Sequence, residues 1–261
     1  MAGEQNLEIR TENKILFLTL NRPDVRKAFT ADMNTQMAEA ILAADYDDGI
    51  SLVAIIGAGE QAFCSGADMN EARVLADAGE VFRGPLHSTR RGLFEVMIDS
   101  KKPIMAIVNG PAIAGGFESA LACDIRVAAE TAFFALPEAK RARGAHFASV
   151  VLPQMVPPGI AMEWLYTGRR IPLAEAERWG LINRRAPLET LHDTAMQLAA
   201  DILSSAPLSL QRMKLTYRKT FGMPLLAGLH LDVGPDVYAS EDQVEGARAY
   251  LEKRDPIWKG R

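Results

Sequence analysis

Two glutamates, Glu118 and Glu138, stand where carboxyl groups could move protons, and two glycine turns could place backbone N–H donors beside them. Residues 103–138, PIMAIVNGPAIAGGFESALACDIRVAAETAFFALPE, read as strand, glycine turn, helix and strand. Residues 104–108 are an apolar run of strand length, stopped by Asn109, Gly110 and Pro111. Gly115 and Gly116 fall where the next helix should begin, so its unpaired N–H groups and the positive end of its dipole would face whatever docks there. Glu118 lies in that helix's first turn, and Glu138 follows Pro137. Taken singly, the first is also ordinary dipole chemistry and the second a plain surface carboxylate. An upstream turn, AFCSGADMNEA at residues 62–72 after the apolar LVAIIG, changes the weighing, because two glycine turns can offer two N–H groups.

The elements that must carry these groups follow from the rest of the chain. Residues 7–20 hold two alternating stretches, a hairpin or successive strands, ended by Asn21, Arg22 and Pro23. An amphipathic helix follows, with Thr30 as its N-cap, and residues 52–56 form a buried-type strand. Recurrence of strand, turn and helix argues for an α/β chain with parallel strands. Residues 69–100 are polar, with a helix expected over about 88–98, and form either a wall of the site or a surface insertion. Beyond Glu138 the chain is basic, then proline-rich. Helices are expected at GIAMEWLYTG, from residue 173, across 188–221 with a break near Ala206 and Pro207, and over 242–254.

Composition narrows the function classes. The 261 residues are 48% hydrophobic and 24% charged, which suits a globular chain with a substantial core. A net charge of −4 gives no reason to expect nucleic acid as a partner. No apolar run approaches the ~20 residues of a membrane-spanning helix. The two cysteines, Cys64 and Cys123, and the absence of a secretory signal before Leu7 suggest a reducing, cytoplasmic setting. Cys64 stands beside a glycine turn and is either a nucleophile or a small packed residue; no base is placed near it by sequence. The four histidines show no metal-ligand spacing, and no metal is expected.

The segments LTLNRPDVRKAF, AFCSGADM, PIMAIVNGPAIAGGFESALACDIRVAAE, FFALPEAK, MEWLYTGRRI, AERWGLIN and SEDQVEGARAYLEKRDPIWKGR, in this order, resemble the crotonase family, the enoyl-CoA hydratase and isomerase superfamily. FFALPEAK and the ending are most similar to its carnitinyl-CoA dehydratase branch. The resemblance covers nearly the whole chain. It implies an α/β fold of the ββα spiral type over residues 1–190, with a C-terminal helical region over 191–261 that mediates trimers, commonly paired into hexamers. It also implies an acyl-CoA substrate, with coenzyme A as the carrier part of that substrate and no separate cofactor.

By position in the family motifs, the N–H groups of Ala67 and Gly115 would hold the thioester oxygen, and Glu118 and Glu138 would manage the protons of water addition or removal. Relatives that keep one glutamate tend to be isomerases or other enoyl-thioester enzymes, so the pair favours a hydratase or dehydratase. Coenzyme A would meet Arg26, Lys27 and Ala28, the turn of Ser65, Ala67, Asp68 and Met69, and Lys253 reaching from the terminal helix to a neighbouring subunit. Gly116, Pro137, Gly144, His146 and Tyr250 would border the acyl group.

The pattern breaks after Glu138. Relatives carry a GxxPxxGG turn there; this chain has RARGAHFASVV, with Gly144 but no following proline or double glycine. His146 in this loop could add an acid or base, as a C–C bond hydrolase would need, or be a hydrogen-bonded loop residue. Alternatives to hydration are therefore double-bond isomerisation, C–C bond hydrolysis, or weak catalysis in an acyl-CoA-binding protein.

Overall fold

The computed structural model describes residues 6–79 and 91–261. The chain opens with a hairpin, β1 (Leu7–Glu12) and β2 (Ile15–Leu20), followed by α1 (Ala31–Ala44) and β3 (Leu52–Gly57). Thr30 caps α1 as the sequence predicts, its Oγ1 accepting the Met33 N–H at 3.0 Å. Next come α2 (Met69–Asp77), α3 (Leu93–Asp99), β4 (Ile104–Val108), β5 (Ala112–Ile113), α4 (Gly115–Ala122), β6 (Ile125–Ala129) and β7 (Phe133–Ala135). The helix expected over about 88–98 is α3; residues 88–90 lie outside the described residues.

The remaining elements are α5 (His146–Met155), α6 (Pro158–Thr167), β8 (Ile171–Pro172), α7 (Leu173–Arg178), β9 (Arg184–Ala186), α8 (Leu191–Leu203), α9 (Pro207–Thr220), α10 (Leu225–Leu229) and α11 (Glu241–Glu252). The expected break near Pro207 is there, with proline in the first turn of α9 where its missing N–H costs nothing. The loop expected after Glu138 is not: residues 146–155 form a helix, with Pro153 inside it.

The main sheet runs β1-β2-β3-β4-β6-β9, parallel from β2 onward. Its central strands are covered on both faces, which is why they read as continuous apolar runs rather than alternating ones. Alternation survives in where the side chains go. Ile104, Ala106 and Val108 face one core with α1, α3, α4 and α5, while Met105 and Ile107 face a second core completed by Leu191, Ala195 and Ala199 of α8. Beyond α8, the chain end folds back on α11, where Asp242, 2% exposed, accepts the N–H groups of Lys259 and Gly260 at 2.7 and 2.9 Å.

Candidate active site

Four short segments meet where β3 and β4 end. The Asn109 side chain holds the first two, accepting the Gly57 N–H at 3.2 Å and donating to the carbonyls of Gly57 and Gly59. Cys64 then bridges Ala112 in parallel, with the Ile113 N–H donating to the Cys64 carbonyl at 2.9 Å. β5 pairs with β7, placing Ile113 opposite Ala135. Three chain segments far apart in sequence are thus stitched into one β-layer. Ala67 leaves from its first strand, Gly115 from its second and Glu138 from its third.

The two turns lie side by side. Phe29 bridges Ala67 through its neighbours: the Phe29 N–H donates to the Gly66 carbonyl and the Asp68 N–H to the Phe29 carbonyl, each near 2.9 Å (2.8 and 2.9). The Ala67 N–H therefore points away from Phe29, and Ala67 is exposed. Gly115 opens α4, so its N–H has no partner inside the helix. A Cβ on Gly115 would lie 3.8 Å from the Ala67 nitrogen and 3.6 Å from the Gly66 Cα, so the two turns are immediate neighbours. Ala114, ahead of them, has φ 53° and ψ −127°, a conformation that side-chain-bearing residues rarely take, and its N–H donates to the Ala135 carbonyl at 2.8 Å. Gly116 is pressed against the turn from behind: a Cβ there would be 2.3 Å from the Cys64 carbonyl oxygen.

The two carboxyls have opposite surroundings. Glu118 Oε1 accepts the Ala148 N–H at 3.0 Å. Burial raises the Glu118 pKa, while the N–H groups of Ala148 and Phe147, in the first turn of α5, pull it back. The N-cap position of that helix, Ala145, offers no side-chain cap, so the carboxylate from α4 serves in place of one. Glu138 sits in a 3-10 turn after Pro137, 8% exposed, and its Oε2 is buried with no hydrogen-bond partner among the described residues. Burial pushes its pKa to about 7, with the nearby charge of Glu118 adding to the rise and Arg141 opposing it.

The other sequence-predicted residues divide. Arg26, Lys27 and Ala28 lie against Ser65, whose N–H and Oγ donate to the carbonyls of Arg26 and Val25 at 3.0 and 3.1 Å. Arg26 is exposed, but Lys27, expected to meet coenzyme A, is only 1% exposed, and burial lowers its pKa. The Asp68 carboxylate is taken by Arg22 at 2.7 Å and by the Asn70 N–H. Met69 is exposed at the start of α2. Gly144 faces open space and Pro137 packs under Gly168 of the α6 cap. His146 is not in a loop but is the exposed first residue of α5. Tyr250 and Lys253 are exposed on or beside α11, and among the described residues no hydrogen bond or ion pair ties either to the glutamates.

Cys64 is fully buried, its thiol donating to the Lys27 carbonyl at 3.0 Å, and burial pushes its pKa up to about 12. It is a packed residue. Thiol alkylation of the native protein at neutral pH is expected to leave both Cys64 and Cys123 unmodified, with mass spectrometry as the check; rapid labelling of Cys64 would contradict this packing.

Sequence reasoning missed Phe147 and Ala148, whose contribution is backbone N–H, and Ala114. The available signal was the apolar spacing of HFASVV after Gly144.

A parallel sheet whose strand ends hold two adjoining glycine turns and two glutamates is matched by solved structures. An enoyl-CoA hydratase from Mycobacterium tuberculosis superposes with a TM-score of 0.86 at 33% identity, covering 98% of this chain and 99% of that one. One from Bacillus anthracis gives 0.88 at 29% identity, covering 98% and 100%. The family model described as enoyl-CoA hydratase/isomerase matches residues 10–261. Among curated proteins, carnitinyl-CoA dehydratase of Citrobacter koseri is 40% identical, across 98% of this chain and 99% of its own length. The chain belongs to the enoyl-CoA hydratase/isomerase family, the crotonase superfamily.

Proposed function

We propose that the protein is a hydro-lyase acting on an enoyl-CoA thioester, adding water across the conjugated double bond or removing it. The observation that carries this reading is the contrast between the carboxyls: Glu118 anchored on helix N–H groups, Glu138 buried with an oxygen that no described residue accompanies. Water must lose a proton as it attacks Cβ while Cα gains one, so the reaction needs one carboxylate and one carboxylic acid together. Glu118 takes the proton from water and Glu138 delivers one to Cα; dehydration exchanges these roles. Negative charge that develops on the thioester oxygen is met by the N–H groups of Ala67 and Gly115, fixed in place before reaction, each worth ~3 kcal/mol. An acyl group of the carnitine type is favoured by likeness to the dehydratases. Coenzyme A lies along residues 26–28 and 65–69, held mainly by backbone groups.

The chain also forms trimers or dimers of trimers through residues 191–261. Supporting this is the row of large apolar side chains left exposed there, with Leu225, Leu226 and Leu229 of α10 each more than 70% exposed. Tyr250 and Lys253 then complete a neighbour's site. Among the described residues no helix is long and apolar enough to cross a membrane.

The pH profile tests the assignment. The working pair carries one proton in either direction, so kcat/KM is expected to fall as pH rises through about 7, where Glu138 loses that proton. The same sign holds for stability. A folded pKa raised from 4.5 means that the native state holds this proton more tightly, so the contribution is complete below about 4.5 and lost as pH climbs to about 7. Glu138→Gln should flatten that part of the stability curve. An unchanged curve in the variant would mean that Glu138 is ionised at neutral pH.

A further inference from the structure

A second cleft, of about 530 Å³, opens between the core and α9 at the end of the sheet where β4 and β6 begin. The glutamates lie at the other end. α4 connects the two places, with Gly115 at one terminus and Cys123, which lines the cleft, capping the other. Its eight residues span ~12 Å.

Charge in the cleft is unbalanced. Arg126, Lys214, Arg218 and Asp124 all line it. Asp124 is shared: its carboxylate pairs with Lys214 at 2.7 Å and Arg218 at 3.2 Å, and accepts the Ile104 N–H at 2.8 Å. Arg126, 7% exposed, has no carboxylate partner among the described residues. Its guanidinium donates to the carbonyls of Ala120 at 3.0 Å, Cys123 at 2.8 Å and Leu181 at 2.5 Å, with a weak contact to Asp124 at 3.5 Å. The carbonyl ends of α4 offset part of that charge. They do nothing for Arg218, whose Nε is buried without an acceptor among the described residues. One carboxylate therefore answers two cations, of which Lys214 also donates to the carbonyls of Lys102 at 2.8 Å and Met97 at 3.4 Å and has no donor left, and a third is held by dipoles alone. Buried charges are normally paired, and a low-dielectric cleft with surplus positive charge concentrates anions.

The rest of the wall selects among anions. Leu181, Ile202 and Leu210 give it an apolar side, and the volume falls in the range of small-molecule sites, ~300–1,000 Å³. A bare inorganic dianion would waste that side and meet the Asp124 carboxylate with two charges. A monoanion with an aliphatic body suits both halves, and the arginine fork suits a carboxylate. We propose that this cleft binds a small aliphatic carboxylate, its head against Arg218 and its body against Leu181, Ile202 and Leu210.

The test is calorimetric titration of the full-length protein with hexanoate, with saturating acetyl-CoA present to occupy the thioester site. Hexanol and inorganic phosphate serve as comparison probes. Saturable binding of one hexanoate per chain is expected, weakened at least tenfold by Arg218→Gln, which removes the charge, and by Leu210→Phe, which fills the apolar side. Hexanol and phosphate should bind at least tenfold more weakly than hexanoate. Circular dichroism establishes that each variant is folded, and either one suffices if the other is not. No saturable binding, as when a second copy of the chain covers the cleft, overturns the proposal. So does hexanoate affinity that a folded variant leaves unchanged, or equal affinity for hexanol or phosphate.

Discussion

Glu118→Gln is expected to lower hydration of an enoyl-CoA by about 10²–10⁴-fold, the usual loss when a positioned general base is removed. Glutamine keeps the shape and can still accept the Ala148 N–H, so α5 remains anchored and the protein folds. What it cannot do is take a proton from water. Glu138→Gln should produce a loss of similar size for the complementary reason, since its amide offers no transferable proton at about pH 7. Because the two act as a unit, the double variant should be scarcely slower than either single one. Losses that multiplied in the double variant would mean that the carboxyls work independently, and wild-type rates in both single variants would remove the mechanism.

Gly116→Ala carries the second large effect, through the backbone. Its new methyl would come within 2.3 Å of the Cys64 carbonyl oxygen and 2.7 Å of the Cys64 Cβ, both fixed by the pairing of residue 64 with residues 111–113. Neither is a mobile side-chain tip, so helix and turn must separate. Stability should fall by about 1–3 kcal/mol from overpacking. Turnover should fall by ~10²–10³-fold if the separation takes one N–H donor off the thioester oxygen. Gly159→Ala, in the first turn of α6 and away from the site, is the control: its Cβ meets nothing within 4 Å, and it should cost little in either measurement. Thermal unfolding and steady-state kinetics on both variants separate the two losses. Full activity in a destabilised Gly116→Ala protein would show that the turns are not coupled to the reaction.

How much of this could be read beforehand depended on how local each feature is. β2, β3 and β4 are long apolar runs, Thr30 sits directly before its helix, and Gly115 begins one, so sequence neighbours disclosed all of them. β5, β7 and β8 are two or three residues long, too short for any period to show, yet their pairing brings Glu138 to Glu118. α5 read as a loop because it lacks its own cap and contains Pro153. Its N–H groups are satisfied by a carboxylate thirty residues earlier in the chain, a partner no local window contains. The burial of Lys27 and the positive φ of Ala114 are likewise imposed by packing, against what those residue types would choose alone.

The central claim is tested most directly by incubating the wild-type protein with crotonyl-CoA and, in parallel, crotonobetainyl-CoA. Loss of the conjugated thioester absorbance is followed, and the products are weighed by mass spectrometry. The account predicts bleaching with at least one of the two and a product heavier by one water. Tight binding of both thioesters with the absorbance intact, or bleaching that yields free coenzyme A instead of a hydrated thioester, would contradict it.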